Sequence, residues 1–340
     1  MIINLSITSN QNLKMNRIGY IGSKLKLKDW IFEEISKRTD DTYTKFADLF
    51  AGSCIMTHEA LEKKYECISN DLETYSYVIM NGLKCPFSDK LQNIIKTLDD
   101  LDTKDMVIPG FVTVTYSPRG NRMYFTEDNA MRIDIIRENI ERMKDRVSTD
   151  EYNFLLASLL TSADSVKNTS VVYGAYLKKF KKTALKRMVF APLHTRSTIV
   201  TLETFNEDAT ELGIKTDIAY VDPPYNSRQY GANYFVLNQI LTPKEIGNGV
   251  TGLPEYKKSS FCRKQEVATS FCNMLKNVSA RLFVISYSSE SLLSKEEMVA
   301  LLSQYGKCEV VVRNHKRFKA QISAVGNDVE EYLFFVYIVV

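Results

Sequence analysis

The chain has 340 residues, of which 44% are hydrophobic and 25% are charged, and its net charge is +3. This length predicts about two domains, and the composition is typical of soluble globular proteins and excludes collagen, disordered tails and small disulfide-rich proteins. The longest apolar run, 333–340, is too short to span a membrane. Residues 1–15 do not resemble a secretory signal and the cysteines lack metal-binding spacing, so we expect a cytoplasmic protein with free thiols and no bound metal.

Apolar runs near both ends of the chain predict an α/β sheet. Near the amino end, a strand ends at Phe50, a helix covers about 54–64, and a second strand covers 65–69. Strand, glycine turn, helix and strand together form the unit that builds a parallel sheet. Near the carboxyl end, further strands are predicted at 214–221, 281–287, 309–313 and 332–340. We expect the last two to form a C-terminal β-hairpin.

The middle of the chain has a different periodicity. At 127–146 and 152–166 the apolar residues recur at intervals of three and four, which indicates helices. We therefore predict a mostly helical domain, residues 86–192, inserted into a catalytic domain made of residues 15–85 and 193–340.

A basic segment lies in this middle region. Between Asp164 and Glu203 the chain has eight basic residues and no acidic one, and they are Lys167, Lys178, Lys179, Lys181, Lys182, Lys186, Arg187 and Arg196. Concentrated positive charge is typical of proteins that bind a phosphate backbone. A solvated, lysine-rich helix face explains the same pattern about as well.

The first indication of chemistry is the segment Asp222-Pro-Pro-Tyr225, which follows a predicted strand. Proline lacks an N–H and biases the preceding residue toward an extended backbone, so carbonyl groups here remain free to accept hydrogen bonds from a ligand. Asp222 and the Pro223 carbonyl can accept both hydrogens of an aromatic amine such as that of adenine and expose its lone pair. Tyr225 can stack on the base, which must flip out of a duplex to reach the site. The alternative is a strand-ending turn with an incidental tyrosine.

A second segment, Asp48-Leu-Phe-Ala-Gly52-Ser53, ends the first predicted strand. Its glycine permits close approach of a ligand to the backbone, and Asp71, after the next strand, is placed to bind a ribose. A plain tight turn explains this segment alone equally well. The lack of a complete G-x-G-x-x-G disfavours a pyrophosphate cofactor and favours a nucleoside without phosphates.

Taken together, the motifs resemble the alpha group of S-adenosylmethionine-dependent DNA adenine methyltransferases, which includes the Dam-type and FokI-type enzymes. The four stretches in order are Tyr20-Ile-Gly-Ser-Lys24, Asp48-Leu-Phe-Ala-Gly52-Ser53, Ser69-Asn-Asp71 and Asp222-Pro-Pro-Tyr225. Stretches that resemble the FokI-type branch in particular are 222–234, Gly249-Val-Thr-Gly252 with Tyr256, Asn168-Thr-Ser170 and Tyr173-Gly-Ala-Tyr-Leu-Lys178. The resemblance implies a class I methyltransferase (Rossmann-like) sheet and transfer of a methyl group to a flipped-out adenine in duplex DNA.

The resemblance also implies the roles of individual residues. The catalytic residues are Asp222, Pro223, Pro224 and Tyr225. The residues implied for S-adenosylmethionine are Tyr20, Gly22, Lys24, Asp48, Phe50, Gly52, Ser53, Asp71 and Asp208. Lys24 is expected to neutralise the methionine carboxylate and Asp208 to contact the adenine edge, although Ala209 stands where the family often has an aromatic residue.

The helical insert is implied to be the target-recognition domain. Its loop would place Arg119 and Arg122 on guanine bases, while Arg228 and Tyr230 would hold the flipped nucleotide or its neighbours. The residues expected on phosphates are Lys178, Lys179, Lys181 and Lys182. A companion restriction endonuclease is a further implied partner.

Two other functions remain open at this point. Asp-Pro-Pro-Tyr also occurs in RNA methyltransferases that act on an exocyclic base amine, although the small ones lack the insert and the N-terminal Tyr-Ile-Gly-Ser-Lys. A DNA-binding protein that keeps the fold without activity is the other alternative, which the intact Asp222 disfavours.

Overall fold

The computed structural model describes residues 17–105, 108–195, 201–316 and 328–338. The strands are β1 (Lys45–Asp48), β2 (Glu66–Asn70), β3 (Leu202–Phe205), β4 (Lys215–Val221), β5 (Ser279–Ser288), β6 (Lys307–Lys316) and β7 (Asp328–Tyr337). They form one sheet in the order β3-β2-β1-β4-β5-β7-β6. Strands β1 to β5 are mutually parallel and β7 is antiparallel to both of its neighbours. The predicted Rossmann-like α/β sheet with a C-terminal β-hairpin is confirmed.

Ten α-helices lie within the described residues. They are α1 (Lys28–Ser36), α2 (Ile55–Glu62), α3 (Thr74–Lys84), α4 (Asp89–Asp99), α5 (Phe111–Tyr116), α6 (Glu127–Arg142), α7 (Thr149–Ser165), α8 (Tyr230–Leu241), α9 (Val267–Asn277) and α10 (Lys295–Leu302). None of these helices has the length and apolar character needed to cross a bilayer.

The central strands are buried on both faces, which explains their continuous apolar sequences. In β4, Ile218 and Tyr220 belong to one hydrophobic cluster, while Ala219 and Val221 belong to the cluster on the opposite face. Successive side chains of a strand point to opposite faces, so a doubly covered strand needs apolar residues at every position. The sheet therefore has a core on each side.

The sheet has a topological switch point between β1 and β4. Strands β2 and β3 lie on one side of β1 in the sheet, and strands β4 and β5 lie on its other side. The segment after β1 continues between the strand ends, because the Leu49 N–H donates to the Tyr220 carbonyl at 3.0 Å and the Ala51 N–H to the Asn70 carbonyl at 2.9 Å. Ligands of open α/β sheets bind in the crevice at such a point, beyond the carboxyl ends of the strands.

The predicted helical insert is helical only in its first part. Helices α4 to α7 lie within it, whereas the described residues 166–195 contain no helix or strand. Buried side chains satisfy the backbone there instead: Asn129 donates to the Ala184 and Lys186 carbonyls and accepts from the Met188 N–H. A backbone whose polar groups have such partners does not require regular structure.

The insert and the sheet share one hydrophobic core. Residues of α6 and α7, such as Ile133 and Phe154, belong to the same buried cluster as Tyr75 of α3 and Phe235 of α8. The predicted catalytic domain (15–85 and 193–340) and the predicted insert (86–192) therefore do not have separate hydrophobic cores. Their assignment as two domains stays a prediction. Residues 15–16 and 339–340, the two ends of the predicted catalytic domain, lie outside the described residues.

Candidate active site

A pocket lies beyond the carboxyl ends of β1, β2 and β4. Its empty space is about 850 Å³, part of which is open to solvent, and this is a suitable size for a small-molecule ligand. The predicted site residues that line it are Tyr20, Gly22, Lys24, Asp48, Phe50, Ser53, Asp71, Asp208, Asp222, Pro224, Tyr225 and Tyr230. Four motifs that are distant in the chain therefore meet in one cavity.

Gly52, predicted to allow close approach to the backbone, is needed for contact with Tyr20. Its φ is +51°, and a Cβ at this position would lie 2.6 Å from the Tyr20 ring. The Gly52 N–H donates to Asp71 at 2.7 Å. Tyr20 in turn stacks on Tyr234, with 4.9 Å between ring centroids. The turn after β1 thus forms a tight unit with the amino-terminal segment.

Asp48 presents a buried carboxylate oxygen with no partner. Its side chain is 1% exposed, and Oδ2 accepts hydrogen bonds from the backbone N–H and the hydroxyl of Thr57. Oδ1 has no hydrogen-bond partner among the described residues. Burial raises the pKa of Asp48 to about 7, and the nearby Asp222 and Asp71 add to this rise although the Thr57 hydrogen bonds oppose it. An orphaned acceptor in a pocket wall is suited to a donor or cation on a ligand.

Asp71 orders the loops around it. Its two oxygens accept the N–H groups of Gly52 and Glu73, and burial raises its pKa to about 6. Glu73, which the sequence analysis did not single out, also lines the pocket. Burial followed by repulsion from Asp71 raises the pKa of Glu73 to about 7. The ribose contact expected of Asp71 stays a prediction, and Glu73 is a second carboxylate within the same wall.

The loop after β3 carries Asp208 into the pocket. Asn70, at the end of β2, donates to the carbonyls of Leu49 and Glu207 and accepts the Glu207 N–H. Asp208 accepts the N–H and hydroxyl of Thr210, which shapes the turn. Asn70 therefore fixes the loop that presents Asp208, a positioning contact that could have been suspected only from its place before Asp71.

The predicted catalytic turn lies at the carboxyl end of β4. Asp222, Pro224 and Tyr225 line the pocket, and Pro223 is buried. No N–H or hydroxyl of the described residues donates to the Pro223 carbonyl. Burial raises the pKa of Asp222 to about 6. The positive charge of Lys24 opposes this rise, and the negative charge of Glu331 reinforces it. Two acceptors thus stand at the end of β4.

Lys24 contacts the Asp222 carboxylate. Its Nζ lies 3.1 Å from Oδ1 of Asp222 and 2.9 Å from Oε1 of Glu331, and the residue is 6% exposed. Burial alone would lower the pKa of this amine, but the two carboxylates raise it well above its usual range, so Lys24 stays charged. Its expected contact with a cofactor carboxylate stays a prediction. Glu331, on β7, was missed because no local motif marks it.

Tyr230 belongs to the pocket wall. Its ring lies 5.3 Å from that of Tyr20, and its hydroxyl donates to the Ile21 carbonyl at 3.3 Å. Gly22, with φ +75°, passes close to Tyr230 and Tyr225. Arg228, two residues before α8, is exposed. The segment after the catalytic turn therefore contributes one residue to the cavity and one to the surface beside it.

Three loops meet near the start of α8. Arg122 packs against Gly252, where a Cβ would lie 2.6 Å from its Nε, and Tyr176 donates to the Asn121 carbonyl. The Tyr173 N–H donates to the Asn233 carbonyl of α8 at 2.7 Å. The two stretches that resembled the FokI-type branch, at 173–178 and 249–252, thus contact the predicted recognition loop or the helix after the catalytic turn.

The predicted DNA-contacting residues differ in their exposure and in their contacts within the protein. Lys178, Lys179 and Lys182 are exposed, whereas Lys181 donates to the Thr169 carbonyl at 2.7 Å. Arg119 is exposed and paired with Glu127. Within the wider basic segment, Lys167 is buried against Asp164 and Arg187 pairs with Asp99, and Arg196 lies outside the described residues. Only part of the positive charge is therefore available to a phosphate backbone.

Comparison with known proteins identifies the family. The family sequence model of the D12 class N6 adenine-specific DNA methyltransferases matches residues 20–301. The chain is 97% identical over 324 residues to the type II methyltransferase M.CviAII of Paramecium bursaria Chlorella virus 1, which covers 95% of this chain and 99% of that protein. It is 36% identical to M.NlaIII of Neisseria lactamica, covering 89% and 93%. It is 35% identical to M.FokI of Planomicrobium okeanokoites, covering 93% of this chain and 52% of that protein.

These matches confirm the predicted activity on DNA adenine in preference to the RNA alternative. Among the described residues, no group of three or more His, Cys, Asp or Glu side chains is placed to hold a metal ion. The chain belongs to the family of D12 class N6 adenine-specific DNA methyltransferases.

Proposed function

We propose that this methyltransferase binds S-adenosylmethionine in the pocket at the β1–β4 switch point and methylates the amino nitrogen of an adenine that has flipped out of duplex DNA. The observation that carries the proposal is the partly buried Asp222 carboxylate, which lies in the wall of the same cavity as the acidic ends of β1 and β2. When bound, S-adenosylmethionine supplies an electrophilic methyl group on its sulfonium.

The charge of the pocket fits this cofactor. Asp48, Asp71, Glu73, Asp208 and Asp222 line the cavity, and among its described lining residues Lys24 alone carries a basic side chain. A sulfonium and an ammonium against one carboxylate give S-adenosylmethionine a net positive charge, which an acidic cavity attracts. The orphaned Oδ1 of Asp48 is an acceptor for such a cation.

The residues proposed to hold the cofactor follow the pocket wall. Tyr20, Gly22, Phe50, Gly52 and Ser53 would surround its methionine part, with Asp48 beside the positive groups. Asp71 and Glu73 would serve the ribose hydroxyls, and Asp208 the adenine edge. The tight packing of Tyr20 on Gly52 supports a close approach between backbone and ligand in this region.

The proposed chemical role of the catalytic turn is to prepare the target amine. Asp222 and the Pro223 carbonyl would accept its two hydrogens, which draws the nitrogen toward tetrahedral geometry and makes its lone pair available. Tyr225, in the pocket wall, would stack on the base for about 1–3 kcal/mol. An adenine within a duplex cannot reach this turn, so flipping is required. Because protonation removes the charge that makes Asp222 a strong hydrogen-bond acceptor, the rate should fall as the pH drops through about 6.

The loops around α8 are proposed to hold the DNA. Arg119 and Arg122 would reach bases, Arg228 and Tyr230 would steady the flipped nucleotide, and the phosphate contacts would come from Lys178, Lys179, Lys181 and Lys182. Lys181 needs to leave the Thr169 carbonyl to do so. A cognate restriction endonuclease and a cytoplasmic location complete the proposal, which the type II relatives support.

Asp222→Asn tests the proposed mechanism. The amide keeps the shape of the side chain but replaces one acceptor by a donor, so methyl transfer should fall about 100-fold or more. Labelled cofactor with duplex DNA measures the transfer, and fluorescence anisotropy should show unchanged DNA binding. Asp41→Asn, an exposed carboxylate at the opposite edge of the sheet, is the matched control. Wild-type transfer by Asp222→Asn, or label found in RNA and not in DNA, would contradict the proposal.

A further inference from the structure

A buried chain of polar contacts leads from the sheet to the catalytic carboxylate. The Ser286 hydroxyl of β5 donates to Oε1 of Glu331 at 2.7 Å, and the same oxygen lies 2.9 Å from Nζ of Lys24. Nζ in turn lies 3.1 Å from Oδ1 of Asp222. Ser286 is fully buried, and Glu331 is 6% exposed. Two residues within β5 and β7, one residue after β4 and one from the amino-terminal segment thus form one connected network.

We propose that Glu331 is a positioning residue for methyl transfer, which acts on Asp222 through Lys24 and is itself oriented by Ser286. The inference rests on the proposed role of Asp222 as an acceptor for the target amine. Neither Glu331 nor Ser286 lines the pocket, so neither is expected to touch substrate or cofactor.

The first reason is geometric. Lysine carries its charge on a flexible four-carbon stem whose three donors rotate freely. With Asp222 as its only partner, Nζ could move across both carboxylate oxygens and compete with the substrate amine for them. The second carboxylate, at 2.9 Å, fixes Nζ on one side and confines it to Oδ1 of Asp222. Oδ2 is then left for the substrate.

The second reason is the balance of charge. Two carboxylates share one ammonium group in a buried site, so Lys24 neutralises Asp222 less completely than it would in an isolated pair. Asp222 therefore keeps more of its strength as a hydrogen-bond acceptor. The other titratable groups that act on this cluster are Tyr220, Tyr225, Tyr230 and Asp48. Of the charged residues in this cluster, Lys24, Asp48 and Asp222 line the pocket, whereas Glu331 does not.

A purely structural ion pair would have a different signature. If Glu331 only attached β7 to the amino-terminal segment, its loss would lower stability and the amount of active enzyme. The pH dependence of the remaining activity would stay the same. If Glu331 acts on Asp222, removing its negative charge lets Lys24 lower the pKa of Asp222, because Glu331 now raises it.

Glu331→Gln separates these outcomes. The amide can still accept from Lys24 and Ser286 but lacks the charge, so the acid limb of the kcat profile should move to lower pH by about half a unit to one unit. At pH 8, kcat should fall about tenfold, as Asp222 becomes a weaker acceptor, with KM for S-adenosylmethionine within about twofold of wild type. Glu330→Gln, the neighbouring exposed residue whose partner is Tyr332, is the matched control and should leave both unchanged.

Ser286→Ala gives an independent measurement. It keeps both charges and removes only the hydroxyl that orients Glu331, so kcat should fall about threefold or more while the acid limb stays in place. If Glu331→Gln does not fold, this variant decides. An unshifted acid limb in folded Glu331→Gln, or wild-type kcat in Ser286→Ala, would overturn the inference. These failures differ from failure of the proposed function, which would show as methyl transfer by Asp222→Asn.

Discussion

At the scale of single residues, the pocket is unusual for its buried carboxyl groups. Burial raises the pKa of Asp71 and Asp222 to about 6 and that of Asp48 and Glu73 to about 7, from ordinary values near 4. The folded protein therefore holds these protons more tightly than the unfolded chain does. These four groups should therefore contribute less to stability without ligand as the pH rises from about 4 to about 7, because the unfolded chain releases its protons first.

Asp48→Asn should reverse part of this loss. The amide removes a buried charge whose Oδ1 has no partner, so at pH 8 the free energy of unfolding without cofactor should rise by about 1 kcal/mol, with little change at pH 4. The dissociation constant for S-adenosylmethionine should rise about tenfold, because a charge-assisted contact is lost. Thermal unfolding at both pH values and calorimetric titration measure these changes. Asp145→Asn, an exposed carboxylate, is the control, and lower stability of Asp48→Asn at pH 8 would refute the argument.

The sequence predicted the residues that stand at strand ends and not those that act across strands. Asp48 and Asp222 lie at the ends of apolar runs that form the strands β1 and β4. These strands are parallel neighbours, so both residues lie in one pocket. Glu331 lies within a strand, 45 residues from Ser286, and its contact depends on the pairing of β5 with β7. Strand neighbours distant in the chain leave no local signal, so this part of the site required the structure.

At the scale of elements, the turn after β1 depends on a glycine. A side chain at Gly52 would have to adopt φ +51° and would meet the Tyr20 ring at 2.6 Å. Gly52→Ala should therefore lower the free energy of unfolding by about 2 kcal/mol and weaken cofactor binding, since Tyr20 must move. Chemical denaturation and cofactor titration measure both effects.

The control for Gly52→Ala is Gly213→Ala. Gly213 has no atom within 4 Å of a built Cβ and no positive φ, so alanine there should be neutral or slightly stabilising. Equal effects of the two substitutions would show that the Tyr20 contact is not what requires glycine at position 52.

Elements with a simple periodic sequence were predicted closely. The strands β1, β2, β4 and β5 and the helices α6 and α7 all overlap their predicted ranges. The short strand β3 was not predicted, because its sequence Leu-Glu-Thr-Phe contains no continuous apolar run. The basic segment gave no helix because buried Asn129 and Asn168 hold its carbonyls and N–H groups in irregular positions. Side-chain capture of a backbone by distant residues cannot be inferred from local sequence.

At the scale of the whole molecule, the basic segment is connected to the turn proposed to be catalytic. The irregular basic segment is attached to α8 through Tyr173 and Asn233, and α8 begins five residues after Tyr225. Helices α3, α7 and α8 contribute side chains to one hydrophobic core, and close packing of this kind restricts the movement of the connection. Lysines on the segment are therefore held at a fixed place relative to the pocket, as a protein that positions a base for chemistry requires.

The free lysines of this segment should control the salt dependence of DNA binding. Replacing Lys178, Lys179 and Lys182 by Gln removes three exposed charges, so the slope of log affinity against log salt should become shallower by about 2 to 3. Gln at Lys45, Lys64 and Lys215 makes the same change of net charge at the amino ends of β1, β2 and β4, opposite the pocket, and should leave the slope unchanged. Fluorescence anisotropy on a labelled duplex from 50 to 200 mM salt, the range over which phosphate contacts dominate, gives both slopes. If both triple variants flatten the slope equally, general charge attracts the DNA and the segment at 178–182 does not contact its phosphates.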